Sequence, residues 1–149
     1  MYMKFLFASD SFKGSLSSCE IHQILTKAAR EVFPEVEILA FPVADGGEGT
    51  LEAVMQVRGG MYRELMVHGP RFTPVLARYG VLDSHTALIE MAAASGLPLL
   101  APAMREPLLT TTYGTGELIL DALRQGYRKI HIALGGSATN DGGMGAMRA

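Results

Sequence analysis

KFLFASDSFKGSLSSCEIHQILTKAAREVFPEVEILAF, residues Lys4 to Phe41, decides the fold class. It opens in a continuous apolar run, Met3 to Ala8, of strand length, the pattern of a strand buried on both faces of a parallel sheet. A polar loop, Ser9 to Leu16, ends the run. Ser17 stands three residues before Glu20, a capping-box spacing, and Ile21, Ile24, Leu25, Ala28 and Val32 follow at helical intervals until Phe33-Pro34 stops them. Val36 to Phe41 is a second short apolar strand. After the loop PVADGGEG, Thr50 is placed to cap a short helix through Val57. Strand, helix, strand, helix is the order of parallel α/β structure.

Downstream the rhythm changes. Met61 to Val67, Val75 to Leu82 and Ala87 to Met91 are strand-like runs joined by the turn-rich HGPRFTP and DSH, and neighbours this close pair antiparallel. AAASGLPLLAPAMREP is irregular, with about one helical turn. TTTYGTGELILDALRQG then reads as a helix capped by Thr112 or Thr115, with Leu118, Ile119, Ala122 and Leu123 inward and Gly126 as its stop. KIHIAL is the next strand. The expected organisation is therefore a parallel α/β domain built from residues 1–60 and 110–149, with residues 61–109 as an antiparallel insertion or the start of a second subdomain.

Composition narrows the function classes. The chain has 149 residues, 48% of them apolar, and a formal charge of -2, enough for a packed core and too balanced to offer a basic footprint for nucleic acid. One cysteine, Cys19, excludes an internal disulfide framework and makes the cytoplasm the default compartment. The longest apolar stretch is interrupted by Glu90, Gly96, Pro98 and Pro102, so no membrane span is expected. The four histidines lack metal-ligand spacing, and no G-x-S-x-G nucleophile motif is present.

Three loops follow three of the expected parallel strands: SDSFKGS, PVADGGEGT and GGSATNDGG. On one sheet they would meet at its carboxyl edge, where open α/β folds bind ligands. The third, Gly135 to Gly143, sets Ser137, Thr139 and Asn140 among four glycines before a helix start, a recipe for holding phosphate on backbone N–H groups. It matches neither G-x-x-x-x-G-K-[ST] nor G-x-G-x-x-G, and a tight packing turn is the competing reading. In the second loop Asp45 and Glu48 flank Gly46 and Gly47 and could share a hard cation with phosphates, or could simply belong to a capped turn. Lys13, beside Ser11 and Gly14, could neutralise a phosphoryl oxygen or be an ordinary exposed loop lysine.

The stretches DSFKGSLSS, PVADGGEGT, EMAAASGL, TTTYGTGELILDAL and LGGSATNDGGMG occur in order across nearly the whole chain. With them the sequence resembles the bacterial glycerate kinases that form 2-phosphoglycerate. The resemblance implies ATP-dependent phosphorylation of D-glycerate with Mg²⁺ in a fold of two α/β domains, with no nucleic-acid or membrane partner and with a homo-oligomer open. The fold class expected is a parallel-sheet domain of the Rossmann or flavodoxin-like kind carrying an inserted antiparallel α/β subdomain, and truncated. In that frame Lys13, Asp45 and Asp141 are the catalytic candidates, and Asp45 and Glu48 the metal ligands. Ser11, Gly14, Gly46, Gly47, Gly135, Gly136, Ser137, Thr139 and Asn140 are the substrate and phosphate contacts. Family members are well over twice this length, so the chain is expected to be an N-terminal fragment, inactive alone. The alternatives are a catalytically silent chain that binds a small acid or nucleotide weakly, and a phosphotransferase for another hydroxy acid.

Overall fold

A computed structural model describes residues 3–149. Residues 1 and 2, which open the first expected segment, lie outside the described residues. The chain divides into two compact units, Met1–Asp45 and Gly46–Ala149.

In the first unit β1 (Lys4–Phe7) and β2 (Glu37–Ala40) pair in parallel, with Phe5 opposite Ile38 and Leu6 opposite Leu39. Between them runs α1 (Ser18–Val32). Its start is the capping box expected from the sequence: the Ser17 hydroxyl accepts the Glu20 N–H at 3.3 Å, and the Glu20 carboxylate accepts the Ser17 N–H at 2.8 Å. Two of the helix's orphan N-terminal donors are thereby satisfied within four residues of sequence. Ile21 and His22 are the buried residues of the helix, and His22 Nε2 accepts the Ser9 N–H at 3.2 Å, fixing the loop that leaves β1.

The second unit begins with α2 (Thr50–Arg58). Thr50 is its first residue and not its cap. That position belongs to Gly49, whose φ of 86° lies in the left-handed region that glycine enters without a Cβ penalty. Strands β3 (Met61–His68), β4 (Pro74–Val81), β5 (Thr86–Glu90) and β6 (Lys129–Ala133) form one sheet in that order. The first two junctions are antiparallel and β5 to β6 is parallel. β6 pairs with β5 along Thr86–Glu90. The short α3 (Ala92–Ser95), three 3₁₀ turns and α4 (Tyr113–Arg124) make the crossover between them. A helix-bearing connection of this kind is what a parallel neighbour requires.

The core of the second unit joins Val67, Ala77, Tyr79, Val81, Ala87 and Ile89 of the sheet to Leu118 and Ala122 of α4. Leu123, expected inward, is 41% exposed, because the buried stripe runs through Leu118 and Ala122 with Ile119 at its margin. Tyr79 is fully buried, and its hydroxyl donates to Asp121 of α4 at 2.8 Å, beside the Arg63 Nε to Asp121 bond of 2.6 Å. On the same sheet Leu51 and Met55 of α2 pack with Leu88. Burying a side chain such as Leu51 contributes about 1.5–3 kcal/mol, so α2 is held by packing more than by its modest length. The close seat is at Gly80, where a Cβ would lie 2.7 Å from Met55 Sδ and 2.8 Å from Leu51 Cδ1. Beyond the glycine loop the chain closes with α5 (Met144–Arg148). No helix among the described residues is long and apolar enough to cross a membrane.

Candidate functional site

Each unit carries its own part of the expected site. In the first, the loop after β1 folds back on itself, with Phe12 and Leu16 bridged and Gly14 at φ 77°. Asp10 accepts the N–H of the next residue, Ser11, at 2.7 Å, a local bond that occupies this acid. Lys13 Nζ meets Asp45 Oδ2 at 2.9 Å across 32 residues of sequence, and both side chains are at least half exposed. Two of the three expected catalytic groups are thus brought together as an ion pair. At that exposure the pair adds little to stability, so its worth lies in holding a lysine and a carboxylate side by side where a ligand can reach them.

In the second unit, the turn Gly46–Gly49 lies against the glycine loop that follows β6. Gly135 N–H donates to the Gly46 carbonyl at 2.6 Å, and a Cβ on Gly135 would stand 2.5 Å from Gly47 N and 2.6 Å from Gly47 Cα. Only glycine permits that approach of two backbones. A Cβ on Gly136, whose φ is 72°, would lie 3.6 Å from Glu48 Oε1, so the exposed Glu48 carboxylate flanks the loop. Ser137 is tied inward by an isolated bridge to Gly96, carried by Leu97 N–H to Gly136 O and Ala138 N–H to Ser95 O, each 2.9 Å. Its hydroxyl pairs with that of Thr139 at 2.8 Å and accepts the Thr139 N–H at 3.0 Å. Asn140 is exposed. The N–H groups of Gly136, Ser137, Asn140 and Gly142 carry no hydrogen bond among the described residues.

Asp141, the third expected catalytic acid, has a different environment. Its carboxylate accepts the N–H groups of Thr112, Gly143 and Gly145 and the hydroxyls of Thr111 and Thr112, all between 2.8 and 3.3 Å. Burial pushes its pKa up, but the Thr112, Gly143 and Gly145 donors outweigh burial and hold it below the ordinary carboxylate value. It locks the starts of α4 and α5 together. A Cβ on Gly145 would collide with Thr111 Oγ1 and with Asp141 Oδ2, which explains the glycine there.

One residue that sequence reasoning passed over stands at the centre of this unit's loops. Glu90, the last residue of β5, is 7% exposed and accepts the Leu51 N–H at 3.0 Å and the Gly49 N–H as well. Burial raises its pKa; those two donors lower it, and the charges of Glu52 and Glu48 raise it further. Glu90 therefore does for α2 what the side-chainless Gly49 cannot.

The site has donors for an anion and acids for a cation, but no metal cage. Among the described residues no three His, Cys, Asp or Glu side chains are grouped to hold a metal ion. Mg²⁺ does not need such a cage, since it is commonly held by one or two carboxylates with substrate phosphates and water. The Gly136 N–H, unbonded among the described residues in a residue flanked by the Glu48 carboxylate, fits a metal-bound phosphate.

The comparisons with known proteins decide the family. A description of the glycerate kinase family matches residues 5–149. The chain belongs to the glycerate kinase family. It is similar to glycerate 2-kinase of Escherichia coli K12, 51% identical over 148 residues, and to glycerate kinase of Bacillus subtilis 168, 49% identical over 148 residues. In both cases 99% of this chain is covered and 39% of the relative. A crystal structure assigned to glycerate kinase 2 of Salmonella typhimurium LT2 superposes with a TM-score of 0.76 at 47% identity, covering all of this chain and 40% of that one. The chain thus spans about two fifths of the length of the relatives it matches.

Proposed function

We propose that the protein carrying this chain transfers the γ-phosphoryl group of ATP to D-glycerate, forming 2-phosphoglycerate and ADP. The observation that carries this reading is the glycine loop 135–143, which leaves N–H groups unbonded among the described residues and has the exposed Glu48 carboxylate at Gly136, in a chain of the glycerate kinase family. Phosphoryl transfer asks chiefly for positioning and for neutralisation of charge. In this reading Gly135, Gly136, Ser137, Thr139 and Asn140, with Gly46 and Gly47 opposite, form the cradle for phosphoryl oxygens. Lys13, with Ser11 and Gly14 in its loop, takes a phosphate oxygen or the glycerate carboxylate. Glu48 and Asp45 are the carboxylates for Mg²⁺, which when bound neutralises charge on the phosphates.

Asp45 also accepts the proton of the attacking hydroxyl as the new P–O bond forms and ADP leaves. Asp141 belongs to the glycine loop and acts by holding it.

The test is ADP release by the native protein with D-glycerate and Mg-ATP, followed by enolase without a mutase, which consumes only the 2-phosphate. Asp45→Asn is expected to keep the melting temperature while lowering kcat about 10²-fold or more, the scale of an acid-base group. Binding of ATP or glycerate without turnover would favour the silent binding protein instead. A variant with lowered melting temperature and intact kcat would remove Asp45 from the chemistry.

A further inference from the structure

We propose that Glu90 is a positioning residue of the glycine-lined site: its buried carboxylate sets where the Gly46–Thr50 turn stands against Gly135 and Gly136. The turn cannot set its own place. Gly46 and Gly49 adopt φ values of 89° and 86°, no side chain of the turn caps α2, and glycines of this kind leave the backbone with the widest freedom in the chain. Its restraints include the bond from Gly135 N–H to the Gly46 carbonyl at 2.6 Å on one flank and, on the other, the Glu90 carboxylate, which accepts the Leu51 N–H at 3.0 Å and the Gly49 N–H. Glu90 is in turn rigid, because β5 is buried along its whole length and Glu90 is registered opposite Ala133, two residues before Gly135. The same strand end therefore fixes both backbones that approach within contact at Gly47 and Gly135.

Burial of a carboxylate is costly unless it is well hydrogen-bonded, and a serine or aspartate at position 49 would cap α2 without burying an acid. Placing the acceptor on β5 instead leaves the turn free of side chains on the side that faces the loop. A carboxylate 39 positions further along the chain does the capping.

This inference rests on the phosphoryl-transfer reading for its kinetic readout, and amide exchange tests it separately. Glu90→Asp draws the carboxylate back by one carbon–carbon bond, about 1.5 Å. A misplacement of about that size is expected to lower kcat about 10²-fold, with the KM for glycerate little changed. Glu90→Gln keeps the length and one acceptor oxygen, so it is expected to recover most of that loss. A purely structural cap would lower the melting temperature of both variants and leave kcat per folded molecule unchanged. That result, or equal impairment of the two variants, overturns the proposal. If the wild-type protein shows no glycerate-dependent turnover, the functional reading fails by itself. Amide exchange then decides the placement: faster exchange at Gly49, Leu51 and Gly135 in Glu90→Asp than in wild type upholds it, and unchanged exchange overturns it. Should the aspartate variant not fold, Glu90→Ala, which removes the acceptor altogether, decides in its place by the same exchange at Gly49, Leu51 and Gly135, faster exchange upholding the placement and unchanged exchange overturning it.

Discussion

Gly135→Ala is expected to lower the melting temperature by roughly 10 °C, through overpacking that costs about 1–3 kcal/mol and a lost backbone hydrogen bond worth about 1 kcal/mol. The added Cβ would lie 2.5 Å from Gly47 N, 2.6 Å from Gly47 Cα and 2.8 Å from the Gly46 carbonyl carbon. All three are backbone atoms, so no rotamer change relieves the contact. Gly47 is itself buried, and the turn cannot withdraw without breaking the 2.6 Å bond from Gly135 N–H to Gly46 O. Gly142→Ala is the control. Its φ is 61° with nothing within 4 Å of a built Cβ, so it meets only the left-handed backbone penalty of about 1 kcal/mol. Thermal unfolding of the two variants beside wild type checks the order. A Gly135→Ala protein that melts with or above Gly142→Ala would show that the two backbones are not locked together.

The contrast between these glycines bears on what was legible in the sequence. Features closed within a few residues read directly. The Ser17–Glu20 capping box needs a window of four residues, and β1, β2 and the β3–β4 hairpin follow from apolar runs and the turn between them. The glycine loop was legible as a loop at a strand end, but not the use of each glycine, because Gly135 answers to Gly47 and Gly145 to Thr111 and Asp141. The partner of β6 was not legible. Its apolar run fits any parallel neighbour, and the choice of β5 depends on packing against α4 and the rest of the sheet.

Acids divided the same way. Asp10, bonded to the next residue, is a local turn acid, whereas Asp45 and Glu90 take partners 32 and 39 positions away. The one local hint at Glu90 is an acid directly after the apolar run Ala87–Ile89, where a buried strand ends.

Asp141→Ala is expected to be the most destabilising single change in the glycine loop, by roughly 3 kcal/mol, since hydrogen bonds to a charged acceptor contribute about 1.5–3 kcal/mol each and are not additive. It would strand the N–H groups of Thr112, Gly143 and Gly145 and release both threonine hydroxyls. The Thr112 hydroxyl also accepts the Ala146 N–H at 2.9 Å, so the starts of α4 and α5 loosen together. Asp141→Asn should fall between, because its amide nitrogen turns a donor toward donors. The pH dependence carries a sign. The carboxylate's folded pKa lies below its ordinary value of 3.8, so its contribution is complete above that value and is lost as pH falls through the lowered folded pKa. Unfolding measured from neutral pH downward should therefore show the gap between wild type and Asp141→Ala constant at first, then closing in acid. A proton-transferring Asp141 behaves otherwise: Asp141→Asn would hold its melting temperature and lose turnover. Five donors on one carboxylate argue for the first outcome, in which the acid shapes the loop.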